Sequence, residues 1–267
     1  MLSPERMESA AQAGLYVTLT DGIARCVLRR AGGNRFSHAL LEAWAEVMAG
    51  LVEVPDLRVV LVSADGPDFS FGADLTDAEI ASRVAGTRDD REALATLGQT
   101  ALDAWATLPV PTLAVGQGRI IGAGACFFTT ADFPVATPEA LVQFPEVDRG
   151  MHLSWGIIPR LVARYGLSHA ATLAMLGEPV ACERLPRPPI RVEKDPLAAA
   201  EALALTLAAK PPLAVRAIKR VLLDSAEQLQ VAATKDAQRF ADTVGSHDFA
   251  EAMGAWFEKR PGRFTGQ

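Results

Sequence analysis

Two glycine-containing turns have the residue types and spacing to bind a negatively charged oxygen. Gly72 follows an apolar run at 57–63, and Gly122 follows a second apolar run at 112–115. Glycine directly after a buried strand lets the backbone approach a ligand or a neighbouring element closely. Backbone N–H groups from two such turns, aimed at one point, are what a developing oxyanion requires. The two turns therefore indicate an oxyanion hole.

A glutamate follows these turns at a position suited to moving a proton. Glu146 ends the stretch Gln143-Phe144-Pro145-Glu146. Apolar neighbours remove water from a carboxylic acid and raise its pKa towards the range useful for a general base. Each feature alone also has a structural explanation, namely glycine at helix–strand packing and a glutamate in a solvated loop. Their combination favours a catalytic site.

The elements that must position these residues alternate between strands and helices. The apolar runs at 57–63, 112–115 and 133–136 predict buried strands, and the small residues after Gly122 predict a helix. Asp21-Gly22, between two alternating runs, predicts a β-hairpin.

Helix signals fill the rest of the chain. Ser37 predicts the start of a helix that runs to about Val52. Residues 1–14 are small and polar, and we expect them to be frayed. Prolines between 179 and 196 predict extended backbone. Amphipathic or apolar patterns predict C-terminal helices at 196–209, 212–224, 226–244 and 247–260.

Three motifs in order, FSFGADL, QGRIIGAGA and FPEVDRG, resemble those of the crotonase superfamily, the enoyl-CoA hydratases, isomerases and their relatives. The resemblance continues through residues 159–162 and 209–214 to the C-terminus, so it covers nearly the whole chain. It implies an α/β fold, a crotonase-like spiral of ββα units with a C-terminal helical region. We expect residues 1–195 to form the crotonase core domain and residues 196–267 a C-terminal helical trimerisation region.

The resemblance also implies an activity. A thioester carbonyl would be held by the backbone N–H groups of Ala73 and Ala123, which stabilise an enolate, and Glu146 would be the catalytic base. The substrate would be an acyl-CoA or acyl-carrier-protein thioester, with no cofactor other than coenzyme A as part of the substrate. Further substrate contacts are expected from Phe71, Gly72, Asp74, Gly122 and Ser154.

The chain departs from the family pattern in three ways. Family hydratases use a second glutamate where this chain has Cys126, and a neutral thiol does not activate water as a carboxylate does. Phe71 stands where relatives usually have a small residue, so it would narrow or reshape the acyl channel. The family supplies a lysine near the cofactor phosphates, but residues 1–193 contain none. Arginines would have to replace it, with candidates Arg25, Arg30 and Arg83.

One glutamate favours isomerisation of a 3-enoyl to a 2-enoyl thioester, because a single carboxylate can take a proton from one carbon and return it to another. Hydration would need a second group, which His152 or an acidic residue from Asp77 to Asp90 could supply. His152 is the candidate catalytic residue, and its alternative is a structural core or loop histidine. A dehydratase or decarboxylase acting on an acyl-CoA or acyl-carrier-protein thioester, and a catalytically silent acyl-thioester-binding protein, are further alternatives.

Composition narrows the classes of partner. The 267 residues are 49% hydrophobic, enough for one sizeable core, and the net charge of −6 argues against nucleic acid. The three cysteines have no metal-ligand spacing, so we expect no metal and a reducing compartment. With no apolar run of about 18 residues we expect a cytoplasmic protein without a membrane partner. The apolar C-terminal helices favour burial between subunits in a homotrimer or hexamer.

Overall fold

The structure, a computed structural model, describes residues 3–185, 191–230, 236–263 and residue 265. Strands and helices alternate along most of this chain, as the apolar runs predict. The strands are β1 (Leu15–Thr20), β2 (Ile23–Leu28), β3 (Val59–Ala64), β4 (Thr112–Gly116), β5 (Arg119–Ile121), β6 (Phe133–Ala136), β7 (Leu141–Gln143), β8 (Val180–Ala181) and β9 (Arg191–Val192). The helices are α1 (Pro4–Ala13), α2 (His38–Val52), α3 (Ala78–Ala85), α4 (Arg88–Ala106), α5 (Ala123–Thr130), α6 (Ile157–Tyr165), α7 (Leu167–Leu176), α8 (Pro196–Ala208), α9 (Pro212–Gln230), α10 (Asp236–Val244) and α11 (His247–Glu258).

The larger sheet has the strand order β1-β2-β3-β4-β6-β9. Its first two strands are antiparallel, and the following pairs are parallel. The turn between β1 and β2 has positive φ at both Asp21 (53°) and Gly22 (74°), as a two-residue type I′ hairpin requires. The predicted hairpin is therefore confirmed.

A smaller sheet of order β5-β7-β8 runs beside the larger one. Two isolated parallel bridges, Phe36 with Ala73 and Ser70 with Ile120, connect further segments in the same manner. Along the chain, a strand of the larger sheet is thus followed by a strand or bridge of the smaller sheet region, and then by a helix. This alternation is the α/β spiral that the motifs predict.

Helices cover both faces of the larger sheet. On one face α2, α4 and α5 enclose an aromatic core, in which the rings of Trp44 and Phe127 are 4.4 Å apart and Trp105 donates to the Phe127 carbonyl at 3.0 Å. On the other face, Ala200 and Ala204 of α8 pack against aliphatic side chains of the strands. Burial of these side chains on both faces explains why the parallel strands read as continuous apolar runs.

The expectation that residues 1–14 are frayed is wrong. They contain helix α1, whose N-cap Ser3 accepts a hydrogen bond from the Arg6 N–H and whose first residue is Pro4. Proline suits this position because its missing N–H would have no helical acceptor there. Gly14 ends the helix in the left-handed conformation, with φ of 96°.

The predicted C-terminal helices are confirmed except for the one at 226–244. Helix α9 continues to Gln230, and α10 begins at Asp236. A partly buried ion pair anchors α9, because Lys219 Nζ lies 2.6 Å from both carboxylate oxygens of Asp132, between α5 and β6. Of the proline-bearing segment at 179–196, β8 and β9 are extended, and residues 186–190 lie outside the described part of the chain.

In the part of the chain that the structure describes, no single helix is long and apolar enough to cross a membrane. Helices α8 and α9 meet those criteria of length and composition only as a pair bent by 109°.

Candidate active site

The first turn, at Gly72-Ala73, is held by hydrogen bonds to the segment before α2. Phe36 N–H donates to the Gly72 carbonyl at 2.8 Å, and Asp74 N–H donates to the Phe36 carbonyl at 2.9 Å. The two hydrogen bonds of this parallel bridge use the residues on either side of Ala73, so the N–H of Ala73 takes no part in the pairing. Gly72 has a φ of 89°, a backbone conformation that L side chains rarely adopt.

Asp74 holds the same turn through its buried carboxylate. Arg30 donates to Asp74 Oδ2 at 2.7 Å, and the Thr76 hydroxyl donates to Oδ1 at 2.6 Å. Burial alone would raise the pKa of Asp74, but the hydrogen bonds from Thr76 and Arg30 outweigh it and leave the pKa below its usual value. The ionised carboxylate of Asp74 therefore stabilises the Gly72-Ala73 turn through these hydrogen bonds.

The second turn begins α5. Gly122, the N-cap residue, has φ 51° and ψ −117°, and Ala123 is the first helical residue. The first N–H groups of a helix have no intrahelical acceptor. Cys126 N–H is the one that closes the first turn of the helix, on the Gly122 carbonyl at 2.9 Å. Ala123 is helical, a backbone conformation that accommodates its side chain.

The two turns lie side by side, with little more room between them than a methyl group would fill. A Cβ added at Gly122 would lie 3.6 Å from Gly72 Cα, and one added at Gly72 would lie 3.6 Å from Ala123 N. In the described part of the chain, neither Ala73 N–H nor Ala123 N–H has a hydrogen-bond partner. Two unpaired N–H groups on adjacent turns are suited to binding one oxygen atom.

Glu146 lies against the second turn. A Cβ added at Gly122 would lie 2.9 Å from Glu146 Oε1, so only glycine leaves room for the carboxylate. The residue is half-buried as a whole, but Oε2 is fully buried and has no hydrogen-bond partner within the described residues. Burial raises the pKa of Glu146 to about 7. The group can therefore accept and release a proton near neutral pH.

Cys126 lies in the wall of the same cavity, on the first turn of α5. Its side chain is buried, and desolvation together with the nearby charge of Glu146 raises the pKa of the thiol well above its ordinary value. The thiol is thus neutral at physiological pH, and a neutral thiol is a weak nucleophile and a poor base.

The cavity between these groups has a volume of about 80 Å³ and a largely apolar lining. Ala73, Ala123, Cys126 and Glu146 form one side of it. Aliphatic side chains of the α3 region and α4 form much of the rest, which is suited to an acyl chain. These apolar lining residues include Leu75, Ile80, Val84 and Leu94.

Trp155 closes part of this cavity from a backbone conformation that is rare for a bulky residue, with φ of 66°. Its indole lies against α4 at Gly98, where an added Cβ would come within 1.9 Å of the ring. Phe127 contributes a tilted aromatic contact at 6.1 Å. The absence of a side chain at position 98 therefore makes room for the indole.

His152 and Ser154 also line the cavity. His152 Nε2 lies 3.0 Å from Oδ1 of Asp236, a buried residue at the start of α10. The other carboxylate oxygen, Oδ2, accepts a hydrogen bond from Gly156 N–H at 2.6 Å. Asp236 is 84 residues from His152 and belongs to no recognisable motif, so the sequence alone does not indicate this contact.

The remaining sequence-predicted substrate residues are not among those that line the cavity. Gly72, Asp74 and Gly122 belong to the backbone of the turns, as described above. The Phe71 ring packs instead on the segment before α2, where a Cβ added at Gly33 would lie 2.0 Å from it. The guanidinium of Arg35 lies 5.7 Å from the ring centroid. The expected narrowing of the acyl channel by Phe71 is thus not seen in this cavity.

The arginines expected to replace the family's lysine each have a carboxylate partner. Arg25 forms two hydrogen bonds with Glu201, at 2.8 and 2.7 Å, and Arg83 pairs with Glu79 at 2.9 Å. Arg30 binds Asp74. The Arg25 and Arg30 pairs connect distant segments of the chain, whereas the Arg83 pair lies within α3.

Among the described residues, no group of three or more His, Cys, Asp or Glu side chains is arranged to hold a metal ion.

The chain resembles proteins of one family in sequence and in fold. The family model described as enoyl-CoA hydratase/isomerase matches residues 18–267. The chain is 31% identical over 209 residues to the probable enoyl-CoA hydratase echA6 of Mycobacterium tuberculosis, covering 78% of this chain and 82% of the relative. It is 26% identical over 271 residues to the 2,3-dehydroadipyl-CoA hydratase of Escherichia coli, covering 98% and 99%.

A solved structure similar in fold is that of an enoyl-CoA hydratase from Mycobacterium avium subsp. paratuberculosis. It has a TM-score of 0.82 and 23% identity, and the match covers 95% of this chain and 99% of that one.

Proposed function

The chain belongs to the enoyl-CoA hydratase/isomerase family of the crotonase superfamily, and from this premise we propose that it isomerises a 3-enoyl thioester to a 2-enoyl thioester with Glu146 as the base. The observation that carries the proposal is the Glu146 carboxyl, which is desolvated, has a pKa of about 7 and lies against the turn that bears Ala123. A base with a pKa near the working pH exists in both protonation states, as a proton shuttle requires.

The proposed reaction uses each part of the site in turn. The thioester oxygen accepts hydrogen bonds from Ala73 N–H and Ala123 N–H, which draws electron density from the carbonyl and acidifies carbon 2. Glu146 takes a proton from carbon 2, and the negative charge that develops on the oxygen is stabilised by the two donors. The protonated Glu146 then delivers its proton to carbon 4, and the double bond forms between carbons 2 and 3.

Cys126 is the reason for preferring a shuttle with one carboxylate. A buried neutral thiol at this position cannot take a proton from water, so a hydration that depends on two carboxylates is not available. The same departure is compatible with a catalytically silent acyl-thioester-binding protein. The perturbed pKa of Glu146 opposes that alternative, since ligand binding to backbone donors does not require a desolvated acid.

The substrate is proposed to be an acyl-CoA thioester, with an acyl-carrier-protein thioester as the alternative. The ion pairs of Arg25, Arg30 and Arg83 leave fewer free cations for the phosphates of coenzyme A than the sequence implied. We also propose that the protein is a homotrimer or a pair of trimers. Large apolar side chains of α9 support this: Leu213 is 81% exposed and Val221 is 63% exposed in the single chain.

The test of the proposed function is proton exchange in deuterated buffer with a 3-enoyl-CoA. We expect the protein to form the 2-enoyl-CoA and to incorporate deuterium at carbons 2 and 4. Glu146→Gln should lower the rate by about 100-fold to 10,000-fold, as losing a general base typically does.

Glu139→Gln, at an exposed glutamate in the loop before β7, is the matched control and should leave the rate unchanged. Cys126→Ala should have little effect, because the thiol takes no part in the shuttle. A wild-type protein that binds the thioester without exchanging these protons would favour the silent alternative.

A further inference from the structure

The histidine in the cavity wall has one nitrogen occupied and one available. His152 Nε2 lies 3.0 Å from Asp236 Oδ1, and the Asp236 side chain is only 3% exposed. The main chain of His152 is held by the same helix, α10, because its N–H donates to Thr243 Oγ1 at 2.9 Å. In the described part of the chain, Nδ1 has no hydrogen-bond partner.

The hydrogen bonds of Asp236 determine which nitrogen carries the proton. An ionised carboxylate only accepts hydrogen bonds, so the hydrogen in the contact with His152 must be on Nε2. Gly156 N–H donates to the other oxygen, Oδ2, at 2.6 Å. One oxygen of Asp236 therefore faces Gly156 and the other faces His152. In the neutral imidazole, Nδ1 therefore has the free lone pair and is the basic nitrogen.

A fully buried structural histidine generally has both ring nitrogens hydrogen-bonded. Here His152 is one of the residues that line a mostly apolar cavity together with Glu146, and its side chain is 19% exposed. A lone pair in such a place needs a hydrogen-bond donor from a substrate or from water. A histidine oriented by a buried carboxylate is also the usual arrangement of a general base.

We propose that His152 is a second proton-transfer group, with Asp236 as its positioning residue, and that this pair adds water to the 2-enoyl thioester. The inference rests on the proposed function for the oxyanion hole and for Glu146, and extends it to a second activity. In this proposal His152 is the second proton-transfer group, which the thiol of Cys126 cannot provide.

The atoms of the hydration balance with water as the co-reactant. His152 Nδ1 accepts a proton from water as the oxygen bonds to carbon 3 of the thioester. The electrons of the double bond move into the carbonyl and form an enolate, whose oxygen accepts hydrogen bonds from Ala73 N–H and Ala123 N–H. The enolate then collapses as carbon 2 takes a proton from the protonated Glu146, giving the 3-hydroxyacyl thioester. Solvent exchange afterwards removes the proton from His152 and returns one to Glu146.

The variant Asp236→Asn tests the pair without removing the side chain. Gly156 N–H requires an acceptor, so the amide oxygen of asparagine should face Gly156 and its NH₂ should face His152. The imidazole must then accept at Nε2 and carry its hydrogen on Nδ1, which removes the free lone pair. We expect hydration of a short 2-enoyl-CoA to fall about 100-fold or more, while isomerisation of the 3-enoyl-CoA stays within about threefold.

His152→Gln should have the same selective effect, since glutamine can still donate to Asp236 but is not a base. The double variant should be no slower in hydration than either single variant, because both remove one function. Asp242→Asn is the matched control, as it removes an exposed carboxylate from the same helix. Nitrogen-15 spectra of the imidazole should show hydrogen on Nε2 in the wild type and on Nδ1 in Asp236→Asn.

The outcomes separate the two proposals. A wild-type protein that isomerises 3-enoyl-CoA but does not hydrate 2-enoyl-CoA would overturn the inference and leave the proposed function intact. Equal loss of both activities in the two variants would also overturn it, because that is the effect of a structural role. If Asp236→Asn does not fold, His152→Gln decides, since it keeps the bond between Asp236 and Gly156. Failure of the wild type to exchange protons at carbon 2 would instead refute the proposed function.

Discussion

Replacing Glu146 by glutamine should change how the stability of the protein depends on pH. The pKa of Glu146 in the folded protein is about 7, compared with an ordinary value of 4.5. The difference of about 2.5 corresponds to about 3 kcal/mol, since one pKa unit is about 1.4 kcal/mol. The folded state therefore resists ionisation of this carboxyl, whereas the unfolded state does not.

The direction of the effect follows from proton linkage. Between about pH 4.5 and pH 7 the folded state binds more protons at this site than the unfolded state, so the free energy of unfolding falls as the pH rises. Above about pH 7 the loss is complete. Glutamine does not titrate, so the stability of Glu146→Gln relative to the wild type should rise by about 2.5 kcal/mol from about pH 5 to pH 8.

Urea unfolding of both proteins across this range measures the effect. Protein concentration must be matched, because subunit association contributes to apparent stability. A buried amide of glutamine that finds no partner would lower stability by about 1 to 3 kcal/mol, but equally at every pH. A stability difference between the two proteins that does not vary with pH would refute the desolvation of Glu146 and, with it, the physical basis for its role as the base.

Three further predictions follow from the site and the exposed helices. Gly122→Ala should lower kcat by about 100-fold or more, because its Cβ would press on Glu146 Oε1 and the φ of 51° disfavours alanine. Circular dichroism should show that the fold is retained, and normal turnover would contradict the role of this turn. Trp155→Ala should enlarge the cavity and shift the ratio of kcat/KM towards longer acyl chains by about tenfold, measured with a series of enoyl-CoA lengths; an unchanged ratio would mean that the acyl chain lies elsewhere. Trp256 and Phe257 are 54% and 71% exposed. We expect the wild type to sediment as more than a monomer and Phe257→Glu to shift it towards the monomer. A monomeric wild type at micromolar concentration would exclude this interface.

The parts of the fold that could be predicted are those with a strong local signal. Asp21-Gly22 specifies its hairpin through the two positive φ angles, and Ser37 marks the start of α2 by accepting a hydrogen bond from Leu40 N–H. Helix α1 carries comparable signals in Ser3-Pro4 and Gly14, but its weakly apolar face concealed them. The two- and three-residue strands of the smaller sheet are too short to show any periodicity, so their pairing is decided by tertiary structure.

In the candidate site, too, the residues with a local signal could be predicted from the sequence and the others could not. The turns and Glu146 lie in motifs, and the structure brings Ala73, Ala123 and Glu146 to one cavity. The contacts of His152 could not be predicted, because Asp236 approaches it only once α10 has packed on α4. Likewise, the direction in which Phe71 packs depends on Gly33 and the adjacent segment, and no local pattern encodes it.

The close contact between Gly98 and Trp155 constrains the order in which this protein could evolve. A Cβ at position 98 would come within 1.9 Å of the indole, so any side chain introduced there while the tryptophan is present must displace it. Loss of the tryptophan, by contrast, removes the atoms that would lie nearest to a side chain at position 98. A lineage that widens its acyl cavity can therefore replace Trp155 first and fill position 98 afterwards, whereas the opposite order passes through a poorly folded intermediate. The two positions are expected to show this directional epistasis among descendants of the chain.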